Sequence, residues 1–361
     1  MVRDYSKFLS ASAAPAPAKR DMTPLERLGW APFFAQQIDV TEMAQTPPVR
    51  IVSVHRSGLH VSGDGIDEVL PPRADATVGD WLLWDKVRPG ASRVLARRSL
   101  VKRRAPGTDV QVQQIAANID TAFVVASCNQ DFNLARLERY VALAFDAEID
   151  PVIVLTKTDI TDDPAPYITA AQSVSARVPV IALNAKGDAP IKALADWCIP
   201  GKTVAFLGSS GVGKSTLTNA LTGNDGIATQ EIREDDARGR HTTTHRELHF
   251  ARGGCIVLDT PGMREIQLAD AAAGIADVFD DIEELAAQCR FSDCAHDSEP
   301  GCAVQTAIKG GDLDPKRLER WRKLQAEDAF NSATLAKRRE KDRAFGKVVR
   351  KAISSKPRNR S

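Results

Sequence analysis

Apolar and polar positions change rhythm three times along the chain. After a low-complexity start over 1–25 (Ser-Ala-Ser-Ala-Ala-Pro-Ala-Pro), Leu25–Trp30 and Phe33-Phe34 predict a short helix with an aromatic contact. From Arg50 the pattern has period two. Ile51–His55 and Leu59–Ser62 flank the turn Ser57-Gly58, and Trp81–Trp84 and Arg93–Ala96 read as further short strands. Such a run of short strands predicts a small all-β barrel of the OB-fold type. From Asn118 onward, apolar runs at Ala122–Ser127, Val152–Leu155, Val178–Leu183, Val204–Leu207 and Ile256–Leu258 alternate with helical segments. That alternation predicts an α/β unit with a parallel sheet covered on both faces. Ala271–Gln288 then reads as helical. Asp314-Pro315 opens another, with Leu318, Trp321 and Leu324 as its buried stripe.

The expected organisation is therefore multidomain: a tail and short helix (1–49), an OB-fold RNA-binding domain (50–106), an α/β domain (107–270), a helical metal-binding domain (271–330) and a basic tail (331–361). A length of 361 residues agrees with two to three domains. The chain is 43% hydrophobic and 26% charged, which excludes wholesale disorder. No apolar run approaches the roughly 20 residues of a membrane span, and no leader pattern opens the chain. Six cysteines are too sparse for a disulfide scaffold. The expectation is a soluble, cytoplasmic monomer. Its formal charge of +1 hides two concentrations. Lys86, Arg88, Arg93, Arg97, Arg98, Lys102, Arg103 and Arg104 lie in one stretch without an acidic residue, and residues 335–361 carry eleven basic and two acidic side chains. Positive charge gathered in two places around an acidic remainder points to a polyanionic partner.

Gly208-Ser209-Ser210-Gly211-Val212-Gly213-Lys214-Ser215 matches G-x-x-x-x-G-K-[ST] between an apolar strand and a helix that opens at Thr216. Its glycines let successive N–H groups face phosphate oxygens. Lys214 would bridge the terminal phosphates and Ser215 would ligate Mg²⁺. Asp259-Thr260-Pro261-Gly262 follows the strand at Ile256–Leu258. Asp259 suits magnesium through a water, and the Gly262 N–H suits a γ-phosphate sensor. In Gly239–Thr244, one of Thr242, Thr243 and Thr244 would complete the magnesium shell, with Thr243 the candidate. Thr156-Lys157-Thr158-Asp159 looks like the guanine-reading N-K-x-D element with Thr for Asn, and Asn184-Ala185-Lys186 occupies the place of a second base-contacting loop. Asp159 would accept from guanine N1–H and the exocyclic amine, a donor pair that adenine lacks. Cys289, Cys294, His296 and Cys302 form a full tetrahedral donor set for one structural Zn²⁺, while Cys128, Cys198 and Cys255 read as core thiols.

The base-reading elements precede the phosphate loop, the reverse of an ordinary G domain. Such an order arises when the old termini are joined and the chain opens elsewhere. In this order, together with Ala117-Asn118-Ile119-Asp120 before the α/β unit, the motifs from Arg50 to Trp321 resemble the RsgA (YjeQ) family of ribosome small subunit-dependent GTPases. The resemblance implies a circularly permuted GTPase between an N-terminal OB-fold and a C-terminal zinc domain. It also implies GTP hydrolysis timed to release from the maturing small ribosomal subunit, with rRNA gripped by the basic stretches. Met263 stands where many G proteins have a water-orienting glutamine, so water must be positioned otherwise. The resemblance gives that role to His241, and slow turnover accelerated by the partner is expected. Two other readings stay open: a nucleotide-gated RNA clamp with incidental turnover, and a related permuted GTPase of the large subunit.

Overall fold

A computed structural model describes residues 21–55, 57–104, 112–223, 246–259 and 271–332. The N-terminal part contains α1 (Pro24–Arg27), α2 (Pro32–Ala35) and α3 (Val40–Gln45), then β1 (Pro48–His55), β2 (Gly58–Gly63), β3 (Ile66–Leu70), β4 (Trp81–Leu83), β5 (Arg93–Val94), β6 (Leu100–Arg104) and β7 (Val112–Ala117). Thr23 caps α1 reciprocally with Glu26. The aromatic contact foreseen near Trp30 is a cluster: its ring lies 5.7 Å from Phe34 and edge-on to Trp81 at 4.8 Å.

The α/β part runs β8 (Thr121–Ser127), α4 (Leu134–Asp146), β9 (Asp150–Thr156), α5 (Ala165–Gln172), β10 (Val180–Ala182), α6 (Ala189–Ala193), β11 (Thr203–Leu207), α7 (Lys214–Thr222), β12 (Arg246–Phe250) and β13 (Ile256–Asp259). Strands β10, β9, β8, β11 and β13 are parallel neighbours in that order. Their side chains divide strictly by parity. Ala122, Val124, Ala126, Ile153, Leu155, Ala205, Leu207, Ile256 and Leu258 belong to the larger buried cluster, with Leu137 and Val141 of α4. Phe123, Val125, Val152, Val154, Val204, Phe206 and Val257 face the other way, onto Leu194 after α6 and Leu217 and Leu221 of α7. Two covered faces explain why the middles of these strands are apolar on both sides, with polar residues only at their ends.

The β-lobe is not separate from this sheet. β12 pairs antiparallel with β13, and β1 pairs antiparallel with β12 through Ser53↔Glu247 and Val54↔Arg246. One edge of β1 follows β2; the other follows β4 over Pro48–Arg50 and β12 over Ser53–Val54. The expected boundary at 106/107 falls between β6 and β7, which pair with each other.

The region read as helical, Ala271–Gln288, holds two helices: α8 (Ala272–Val278) and α9 (Asp280–Ala286). They break at Phe279, which is fully buried and whose backbone leaves the helical region (φ −110°, ψ +38°). Then come α10 (Ala303–Gly310) and α11 (Pro315–Ser332), with Leu318, Trp321 and Leu324 buried as expected. This lobe docks on α4. Gly274 of α8 sits so close to the Ala142 carbonyl that a Cβ would collide with it. Glu138 of α4, wholly buried, accepts from Arg320 at 2.9 and 2.8 Å, and Arg317 bonds Asp281 and the Val278 carbonyl. Burial still pushes the Glu138 carboxyl above its ordinary range, against the pull of Arg320 and Arg317.

Candidate functional site

Parallel strands present their carboxyl ends along one edge, where α/β sheets bind ligands. Four sequence-predicted elements leave from that edge: Thr156–Asp159 from β9, Asn184–Lys186 after β10, Gly208–Ser215 from β11, and Asp259 at the end of β13. The phosphate loop curls as its sequence demands. Gly208 (φ +142°) leaves β11 against the Val125 carbonyl, which excludes any side chain there, and Gly213 (φ +99°) is the left-handed N-cap of α7. Ser210 and Gly211 are exposed, Ser209, Ser215 and Thr216 half-buried, and Val212 is buried beneath the loop. Lys214 Nζ folds over the loop, donating to the Gly208 carbonyl at 2.8 Å and to the Ser209 carbonyl.

The base-reading loops meet at their tips. Lys186 Nζ lies 3.8 Å from Asp159 Oδ2, Asn184 Oδ1 accepts the Lys186 N–H at 2.9 Å, and Ala185 is buried. Lys157 adopts a left-handed backbone (φ +59°) that turns the chain toward Asp159. Thr156, the first residue of this element, bonds directly to the phosphate loop. It is fully buried, and its hydroxyl donates to the Val212 carbonyl at 2.6 Å, with the Ala126 carbonyl at 3.2 Å. Thr156 thus ties the base loop to the phosphate loop from the end of β9. His241, Thr242, Thr243, Thr244 and Gly262 lie outside the described residues, and Asp259 is described as backbone only.

Cys289, Cys294, His296 and Cys302 converge, their donor atoms all within 4.8 Å of one another. His296 directs Nδ1 inward, 3.6 Å from both Cys289 Sγ and Cys302 Sγ, and the two sulfurs are 3.8 Å apart. Sulfurs at about 2.3 Å from a tetrahedral ion stand about 3.8 Å apart, so the donor set fits zinc in spacing as well as in chemistry. Around it, Gln305 donates to the His296 carbonyl, Trp321 packs beside the imidazole at 5.7 Å, and Cys302 caps α10. Among the remaining cysteines, Cys128 and Cys255 are buried and Cys198 is half-buried; none belongs to this group.

The basic stretch divides. Arg97 makes a two-pronged pair with the fully buried Asp80 (2.7 and 2.8 Å) and reaches the Asp75 carbonyl and Gln114. Arg98 pairs with Asp120 at 2.9 Å. Arg93 holds Glu42 at 2.7 Å, and Arg88 holds Asp85. Arg103 bonds Gln113, and Lys86 and Lys102 are exposed; the side chain of Arg104 lies outside the described residues. Arg97 is therefore a fold residue rather than a free cation, because releasing it would strand the Asp80 carboxylate in the interior. Burial raises the Asp80 pKa despite that partner. Composition alone could not separate paired from unpaired cations. The one signal was an acid, Asp80, set between the apolar residues Val78 and Trp81.

Comparison with known proteins follows the same outline. Residues 94–269 match the family model described as RsgA GTPase. A protein of Vibrio parahaemolyticus named small ribosomal subunit biogenesis GTPase RsgA 2 is 46% identical over 92% of this chain and 94% of its own length. One of Mesorhizobium japonicum, named small ribosomal subunit biogenesis GTPase RsgA, is 48% identical over 85% and 91%. Among solved structures, YjeQ from Thermotoga maritima superimposes with a TM-score of 0.56 at 25% identity, covering 77% of this chain and 96% of that one. YloQ, described as a circularly permuted GTPase, gives 0.54 at 25% identity over 78% and 94%. A phosphate loop that follows its base-reading loops in sequence yet joins them at one sheet edge, together with relatives matched nearly end to end, leads to one conclusion: the chain belongs to the RsgA GTPase family.

Proposed function

We propose that this protein hydrolyses GTP as a late-stage maturation factor of the small ribosomal subunit, binding rRNA and leaving when GTP is spent. The observation that carries the reading is the convergence of the phosphate loop and both base loops at one sheet edge, in a chain whose relatives bear that name. Lys214 and the loop N–H groups hold the phosphates, Asp159 reads guanine, and the stem of Lys157 covers the base. Ser215, Thr243 and, through a water, Asp259 would hold magnesium, which neutralises charge on the β- and γ-phosphates when bound. Gly262 senses the γ-phosphate, and His241 orients the attacking water in place of the missing glutamine.

Strands over 50–106 serve as an OB-fold RNA-binding domain, 107–270 as the permuted GTPase, and 271–330 as a lobe whose Cys289, Cys294, His296 and Cys302 hold one structural zinc. The short supply of large apolar side chains around 289–302 supports that role, since a metal replaces the missing core. Among the basic residues, Lys86, Lys102 and Arg103 support phosphate-backbone contact best, with the tail at 331–361. The protein works as a cytoplasmic monomer; among the described residues no helix is long and apolar enough to cross a membrane. Replacing His241 with alanine tests the mechanism. Nucleotide affinity should hold while subunit-stimulated hydrolysis disappears; an unchanged stimulated rate removes His241 from the reaction.

A further inference from the structure

The Ala117–Asp120 motif lies away from the nucleotide loops, yet it builds a buried polar joint between the β-lobe and the α/β part. Its centre is Arg50 of β1, 1% exposed. The guanidinium donates to four segments: the Leu28 carbonyl at the end of α1 (2.6 Å), the Gly79 carbonyl before β4 (3.3 Å), the Asn118 carbonyl at the entry to the α/β part (3.3 Å) and Thr203 Oγ1, the first residue of β11 (2.9 Å). None of these acceptors is a carboxylate. Burial lowers the Arg50 pKa to about 10, against the raising influence of Asp120 and Asp80.

Asn118 and Asp120 complete the joint. Asn118 takes a left-handed backbone (φ +56°), donates to the Gly79 carbonyl and accepts the Arg98 N–H. Asp120 accepts the Thr203 N–H at 2.9 Å and also binds Lys202 and Arg98, each at 2.9 Å. Thr203 is thus gripped twice, its hydroxyl by the β-lobe through Arg50 and its backbone by a carboxylate that also holds a basic-stretch arginine.

β11 is five residues long, is hydrogen-bonded to β8 on one side and β13 on the other, and ends at the phosphate loop. A strand so close-packed transmits strain along its length, and Thr203 and Gly208 stand at its two ends. Farther along β1, Ser53 and Val54 pair with β12, the strand that leads from the Gly239–Thr244 segment and lies beside β13. Arg246, the first residue of β12, donates to the Gln114 carbonyl of β7 at 2.9 Å. One strand of the β-lobe therefore contacts both the strand that carries the phosphate loop and the strand that leaves the candidate switch.

We propose that Arg50 and Thr203, braced by Asn118 and Asp120, are positioning residues that couple the nucleotide held at the phosphate loop to the β-lobe's grip on the small subunit. The discrete element is Arg98. With a side chain 38% exposed, it can exchange Asp120 for an RNA phosphate while Lys202 and the Thr203 N–H keep the carboxylate satisfied. The inference rests on the functional reading above, because it concerns how subunit and nucleotide sense each other. By linkage, a joint that lets bound RNA bias the phosphate loop also lets the nucleotide bias RNA affinity by the same factor.

The test loads the full chain with GDP or with a non-hydrolysable GTP analogue and measures the affinity of purified small subunits for each form. Wild type is expected to bind the analogue form about tenfold or more tightly than the GDP form. Thr203→Val, which removes the acceptor at constant shape, should bring the ratio to within about twofold of one while basal hydrolysis stays unchanged. Thr203→Ser, which keeps the hydroxyl, should restore it. A folded Thr203→Val protein with the wild-type ratio overturns the proposal. A wild-type ratio of one removes the functional reading itself, and the inference with it. If Thr203→Val does not fold, amide exchange over Pro48–His55 of wild type decides: it should differ between the two loaded forms when bound to the subunit, and identical exchange overturns the coupling.

Discussion

The phosphate loop and the basic stretch are the two most conspicuous runs of polar residues in the sequence, and they teach opposite lessons. In Gly208–Ser215 the chemistry resides in the backbone, so local sequence and local structure coincide: the glycines turn where they must and Lys214 arches over the loop. In Lys86–Arg104 the chemistry resides in long side chains whose partners are distant in sequence. In the free protein Asp80 holds Arg97, Asp120 holds Arg98 and Glu42 holds Arg93, so much of the apparent positive charge is already paired. A charge run in a sequence gives the cations present but not how many are free.

That contrast can be broken at either end. The largest effect is expected where the basic stretch is least available to RNA. Arg97→Ala should destabilise the fold by about 3–5 kcal/mol by stranding Asp80, read as a lowered denaturant midpoint. A change below 1 kcal/mol would return Arg97 to the pool of free cations. Lys214→Ala should lower GTP turnover by about 10²–10³-fold with the melting temperature held, since it removes one charge-stabilising donor from an otherwise intact loop. Lys102→Gln should leave stability alone, weaken subunit binding only a few-fold and reduce the salt dependence of that binding by about one unit of slope. The smallest effect belongs to Arg88→Ala. Its pair with Asp85 is on the surface, and stability should move by no more than about 1 kcal/mol by thermal melting.

Legibility followed the same division. The parallel strands could be read because each is apolar on both faces, and the four metal ligands because their spacing is local. Thr156 was legible as a motif position but not as a buried latch, because its partner Val212 is 56 residues away. The β1–β12 pairing joins two segments nearly 200 residues apart through Ser53↔Glu247 and Val54↔Arg246, a register that no periodicity marks. Arg50 and Glu138 are not legible as buried residues for one reason: a charged residue inside an apolar pattern looks like a solvent-facing position until the fold supplies its partners. The break at Phe279 is not legible because both halves are helical and no proline or glycine marks the junction.

The most direct measurement is turnover of GTP and of ATP by the full-length protein, each with and without purified small ribosomal subunits. The account predicts slow GTP hydrolysis by the protein alone, a rise of about 100-fold or more with small subunits, and ATP hydrolysis at background in both conditions. Equal use of the two nucleotides, or a GTP rate indifferent to the small subunit, would contradict it.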